Sequence, residues 1–135
     1  MNQWAREFGQ VFSEQNRAQF PGNRDWLNSR AQSILPRIDE SLRLSNEALA
    51  KYEEGGRLLS NEQQRKGWTL LNASFRKSIE IDELLKAQAQ LGSDQTITDA
   101  KTFNEKFAHM TELMKQKQKE KDELFDEGRR LVLKQ

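Results

Sequence analysis

Apolar residues recur at alternating spacings of three and four over most of this chain, and this periodicity constrains the fold more than any other feature. The clearest example runs through Ala31, Leu35, Ile38, Leu42, Ser45, Leu49 and Tyr52. An α-helix brings residues at these spacings to one face, which forms the a/d seam typical of coiled coils and helical bundles. The pattern therefore predicts long helices packed side by side.

Three glycine-containing breaks divide the periodic pattern into four segments. The breaks are Pro21-Gly22, Gly55-Gly56 and Leu91-Gly92-Ser93-Asp94, and a glycine just past a helix is typical of a C-cap. We predict a single domain over residues 1–135, with helices at about 2–19, 25–54, 61–91 and 99–133. Short connections favour antiparallel neighbours. The predicted fold class is all-α: an antiparallel up-down helical bundle with three long helices and a shorter N-terminal helix.

Local signals refine the ends of these helices. Ser60, three residues before Gln63, has the form of a capping box, and Thr98 or Asp99 is the predicted N-cap of the last helix. Pro36 lies inside the second helix, where it removes a backbone donor, so a kink or a break is expected there.

The residues on the predicted seams form the expected core. They are Leu35, Ile38, Leu42, Leu49, Leu71, Phe75, Ile79, Leu85, Phe103, Phe107 and Met110. If Phe75 is fully buried, Phe75→Ala should cost about 3–5 kcal/mol of stability.

The last predicted helix contains a polar interruption. Residues 115–123 are all polar although the heptad frame continues, so this stretch is expected to be solvated or to protrude, and Gly128 is expected to weaken the seam. Apolar residues then return, and they are the candidate partner-binding residues: Leu124, Phe125, Leu131, Val132 and Leu133. Two interpretations remain open. Leu131 and Val132 either close the bundle against Leu58 and Leu59, or form a bare patch for a partner or a second copy.

Composition argues against several classes of function. The net charge is +1 without a strongly basic segment, and the chain has no cysteine, so neither nucleic-acid binding nor thiol chemistry is expected. His109 is the only histidine and is predicted to lie at the surface, so a di-iron bundle, which needs two Glu-x-x-His elements, does not fit. We predict no catalytic residue, cofactor-binding residue or metal ligand, and no cofactor requirement for folding.

No stretch is apolar enough to span a membrane. Peripheral membrane contact through residues 2–19 is not expected either, because Arg6 and Arg17 are balanced by Glu7 and Glu14. The compartment stays open. The protein is expected to be soluble, and either cytoplasmic or exported with a leader that this chain does not include.

Three functional hypotheses follow from this pattern. The first is a non-enzymatic protein-interaction or scaffold module that binds a protein partner or associates with itself. The second is a small-ligand sensor or carrier with an apolar pocket among Trp26, Trp68 and Phe75. The third is an enzyme of unrecognised type. A deep apolar pocket would favour the carrier, and an exposed apolar stripe would favour the interaction module.

Overall fold

The computed structural model describes residues 3–133, which form five α-helices and one short 3-10 helix. The helices are α1 (Gln3–Val11), α2 (Glu14–Arg17), α3 (Arg24–Arg57), α4 (Glu62–Ala89) and α5 (Ala100–Leu133), with the 3-10 helix Leu91–Ser93 before α5. No strand occurs within 3–133 and the helices pack against one another, so the predicted all-α bundle is confirmed. Within this range no helix is long and apolar enough to cross a lipid bilayer.

The predicted N-terminal helix is in fact two short helices, and residue 2 lies outside the described residues. Helix α1 ends at Val11, and Ser13 caps α2, because its Oγ accepts a hydrogen bond from the backbone N–H of Asn16 at 3.3 Å. The Asn16 side chain in turn donates to the carbonyl oxygens of Gln10 and Val11, each at 3.1 Å. These bonds satisfy backbone groups that a helix end leaves unpaired, so the prediction of one continuous helix is wrong here.

Helix α3 is longer than predicted and does not break at Pro36. The flanking residues Ile34 and Ile38 are 1% and 0% exposed, and their burial offsets the hydrogen bond that proline removes. The helix also continues through Gly55 and Gly56, and none of the described glycines has a positive φ. The predicted break at this pair is therefore wrong.

The caps of α4 and α5 differ in how well the sequence predicts them. For α5, Asp99 is confirmed, because its Oδ1 accepts from the backbone N–H of Thr102 at 2.7 Å. For α4, the capping side chain is Asn61 and not Ser60, because Asn61 Oδ1 accepts from the N–H of Gln64 at 3.0 Å. Both caps use a short polar side chain of the preferred kind.

The described residues fall into two compact units. The first unit comprises residues 1–41 and 83–113, and the second comprises residues 42–82 and 114–135. Each of the three long helices contributes residues to both. The assignment of the whole chain to a single domain stays a prediction.

An aromatic cluster forms the core of the first unit. Phe20 lies against Phe103 with ring centroids 4.3 Å apart, and Phe8 and Phe12 lie 6.4 and 6.1 Å from Phe107. All five side chains are buried. The segment that contains α1 and α2 therefore covers the aromatic face of α5.

About half of the predicted core is fully buried. The buried members are Ile38, Leu49, Ile79, Phe103 and Phe107. The half-buried members are Leu35, Leu42, Leu71, Phe75, Leu85 and Met110. Other fully buried side chains were not predicted as core, among them Leu27, Ile34 and Ile97.

Candidate binding groove

A groove with apolar walls opens on the second unit. Its volume is about 390 Å³, and helices α3, α4 and α5 all contribute to it. The lining residues are Tyr52, Trp68, Leu71, Asn72, Ser74, Phe75, Ser78, Lys121 and Phe125. We call this the aromatic groove.

Helical periodicity places these residues on common faces. The α4 members at 68, 71, 75 and 78 are three or four residues apart, and the α5 members Lys121 and Phe125 are four apart. Residues with these spacings share one side of a helix. Helix α4 therefore supplies six of the nine lining residues, among them Leu71 and Phe75 of the predicted core.

Tyr52 is the centre of the aromatic contacts. Its ring meets the ring of Phe75 edge-on, with centroids 5.7 Å apart and planes at 82°, and meets Trp68 at 6.4 Å and 87°. Edge-to-face pairs at these separations contribute about 0.5–1.5 kcal/mol beyond burial. Tyr52 is nevertheless 46% exposed, and Phe125 at the α5 side is 47% exposed. The groove is therefore preformed and open to solvent.

The Trp68 ring is held in place by α3. Its Nε1–H donates to the backbone carbonyl oxygen of Tyr52. A Cβ atom added to Gly56 would lie 2.2 Å from Trp68 Cδ1, whereas one added to Gly55 would meet nothing within 4 Å. Gly56 is thus required by the close approach of an indole ring from another helix. This contact could not be inferred from the dipeptide alone.

Helices α4 and α5 approach closely beside the groove. Ser74 is 2% exposed, and its hydroxyl donates to the carbonyl oxygen of Lys121 at 2.9 Å. Seven residues away on each helix, a Cβ atom added to Gly67 would lie 2.8 Å from the carbonyl oxygen of Gly128. Gly128 is itself buried. It permits this approach, which corrects the expectation that it would weaken the seam.

The polar stretch of α5 is largely solvated, as predicted, because six of its nine residues are exposed. It does not protrude, because its half-buried residues lie against α4. Lys77 Nζ lies 3.0 Å from a carboxylate oxygen of Glu120, and Lys117 Nζ lies 3.3 Å from one of Glu80. The hydrogen bond from Lys77 lowers the pKa of Glu120. Paired charges with long aliphatic stems take the seam positions that apolar residues hold elsewhere.

Lys121 brings a positive charge to the groove. Burial raises the pKa of Asp82, and the charge of Lys121 acts in the opposite direction on that carboxyl. The polar lining of the groove is otherwise neutral, from Asn72, Ser74 and Ser78.

The five predicted partner-binding residues do not form one patch. Phe125 lines the aromatic groove, Leu133 is 69% exposed, and Leu124 is half-buried. Leu131 is buried and Val132 half-buried, and both lie where a Cβ atom on Gly67 would meet them at 2.9 Å.

The end of α5 therefore packs on α4 at Gly67. Of the two residues predicted to receive it, Leu58 is 83% exposed and Leu59 is half-buried, so closure against this pair stays a prediction. Whether any of the five predicted residues binds a partner stays a prediction.

The three residues of the predicted apolar pocket, Trp26, Trp68 and Phe75, do not line one pocket. Trp68 and Phe75 line the aromatic groove, whereas Trp26 belongs to the first unit and lines a different pocket. His109 is exposed, as predicted. Within residues 3–133, no three acidic or histidine side chains come together in a metal-binding arrangement.

Comparison of the chain with protein-family models, curated proteins and solved structures finds no match.

Proposed function

We propose that this protein is a non-enzymatic interaction module that binds an amphipathic helix of a partner protein in the aromatic groove. The observation that carries the proposal is the exposure of Tyr52 and Phe125, at 46% and 47%, around a groove whose other walls are already packed. Large aromatic side chains are over-represented at the centres of protein interfaces.

The first unit indicates what kind of segment suits such a surface. There the aromatic face of α5 is covered by Phe8 and Phe12, which are four residues apart across the end of α1. An amphipathic helix that presents residues at i and i+4 is a common ligand for apolar grooves. The second unit also has an aromatic surface, made by Tyr52, Trp68, Phe75 and Phe125, and no α1-like segment among the described residues covers it.

A displayed library of short helical peptides tests the proposal. Enriched peptides should be amphipathic, and their affinity should fall about tenfold for Phe125→Ala, because exposed aromatic anchors often carry most of the binding energy. Leu58→Ala is the matched control, since Leu58 is 83% exposed and does not line the groove.

The adjacent glycines supply a second matched pair. Gly56→Ala should displace Trp68 and weaken peptide binding, whereas Gly55→Ala should leave binding unchanged, because only the first new methyl group meets the indole. Peptides that bind all of these variants equally would overturn the proposal.

Two other outcomes would also replace the proposal. Binding of a small apolar dye, abolished by Phe125→Ala and without any enriched peptide, would favour the carrier. A mass that rises with concentration for the wild type but not for Phe125→Ala would make a second copy the occupant.

A further inference from the structure

A second pocket lies beside the aromatic groove and is rich in arginine. Its volume is about 530 Å³, and it lies between the last turns of α3 and the first half of α4. The lining residues are Glu53, Gly56, Arg57, Arg65, Trp68, Thr69, Asn72, Ala73 and Arg76. We call this the arginine pocket. Three guanidinium groups and a single carboxylate give it an excess of positive charge.

The charges of this pocket are only partly paired. Arg76 Nη2 lies 2.8 Å from Glu53 Oε1, so the one carboxylate is already engaged. Within residues 3–133, neither Arg57 nor Arg65 makes an ion pair or a side-chain hydrogen bond. Arg57 and Arg65 therefore line the pocket without a side-chain partner among the described residues.

The pocket and the aromatic groove share a wall. Trp68 and Asn72 line both. The bond from Trp68 Nε1 to the Tyr52 carbonyl and the contact with Gly56 hold the indole between them. The two sites are therefore adjacent at this ring.

We infer that the partner helix is acidic on one flank, and that its Asp or Glu carboxylates bind Arg57 and Arg65 while its apolar face occupies the aromatic groove. This inference rests on the proposed function and names the partner's chemistry. The planar guanidinium fork matches a carboxylate with two parallel hydrogen bonds. Both arginines are exposed, so each ion pair should raise the affinity only a few-fold.

The test compares a groove-binding library peptide with its variant in which every Asp and Glu is replaced by Asn and Gln. The acidic peptide should bind the wild type about tenfold more tightly than the amide variant, the size expected for two solvent-exposed ion pairs. The preference should shrink at high salt. In the double variant R57Q/R65Q the preference should disappear while the amide variant binds as before.

Arg129→Gln is the matched control for the single variants R57Q and R65Q, because it also removes one positive charge, from an exposed residue of α5 that does not line the pocket. Each variant is first compared with the wild type by thermal melting. If the double variant does not fold, the single variants R57Q and R65Q are tested in its place. An acidic peptide that binds R57Q/R65Q as tightly as the wild type overturns the inference.

The two proposals fail in different ways. If peptide binding needs Phe125 but shows no preference for acidic residues, the inference of an acidic flank is wrong. The proposed binding of a helix in the aromatic groove would still stand. Absence of any Phe125-dependent peptide would remove the proposed function itself. Inorganic phosphate tests whether the pocket binds a free anion. If phosphate shifts the Trp68 indole N–H resonance in the wild type but not in R57Q/R65Q, and acidic peptides show no preference, the pocket binds a free anion. That result would overturn the acidic-peptide assignment.

Discussion

In the first unit, Phe8, Phe12, Phe20, Phe103 and Phe107 form a cluster in which no side chain is more than 7% exposed. In the second unit, Tyr52 and Phe125 are nearly half exposed beside Trp68 and Phe75. Both units are built from the same three long helices. A seam repeat therefore positions aromatic side chains on a helix face, whereas an additional segment decides whether that face is core or surface.

The largest expected effect contrasts one aromatic residue from each unit. Phe103 is fully buried against Phe20, so Phe103→Ala should cost about 3–5 kcal/mol. Phe125→Ala should cost less than about 1 kcal/mol, because the side chain is 47% exposed. Phe75 is half-buried and should fall between the two, below the loss expected for full burial. Urea unfolding of the three variants measures this order, and equal losses would remove the contrast between the units.

A smaller loss of stability is expected from disturbing the close backbone packing of the second unit. Gly67→Ala should lose about 1–3 kcal/mol, because its new methyl group would lie 2.8 Å from the Gly128 carbonyl oxygen and 2.9 Å from Leu131 Cβ. Gly55→Ala, in the same unit and with open space around the new methyl group, should be neutral or gain up to about 1 kcal/mol from helix propensity. If both variants melt alike, the α4–α5 approach is looser than described.

The smallest expected effect is a difference between the units in how the stability supplied by a helix cap depends on pH. The hydrogen bonds from Thr102 lower the pKa of Asp99, the α5 cap in the first unit, whereas the α4 cap in the second unit is Asn61, which does not titrate. A lowered pKa in the folded state means that the stabilisation is present above the unfolded value of about 3.9 and is lost as pH falls through the folded value.

Asp99→Ala should therefore lower the melting temperature at neutral pH, and the difference from the wild type should vanish in acid. The effect of Asn61→Ala should persist at every pH at which the protein folds. Melting curves of both variants from neutral to acidic pH provide the measurement. A difference for Asp99→Ala that stays constant into acid would show that the carboxylate does not act as a charged cap.

The sequence predicts the long helices well because their signal is local. Apolar spacing and the Asp99 cap depend on residues within one or two turns, and α5 begins and ends within about one residue of its prediction. The break after α1 was missed because it depends on the particular bonds made by Ser13 and Asn16. The helical state of Gly56 was missed because its neighbour, Trp68, comes from another helix.

The groove was only partly predictable for the same reason. The return of apolar residues after the polar run indicated Phe125, and the stripe on α4 indicated Trp68 and Phe75. Tyr52 was assigned to a seam, and nothing within its own helix shows that it stays 46% exposed. The arginine pocket gives no periodic signal, because Arg57 and Arg65 lie on different helices and converge only after folding.

The antiparallel arrangement of α4 and α5 also has a consequence for the order in which contacts form during folding. The bond from Gln88 to the Phe107 carbonyl closes a loop of only 19 residues, and the bond from Ser74 to the Lys121 carbonyl closes one of 47. The longer closure costs roughly 0.8 kcal/mol more in chain entropy if both loops start as flexible chain. We therefore expect the contacts between α4 and α5 to form first near their connecting turn. The contact between Gly67 and Gly128 should be among the last to form.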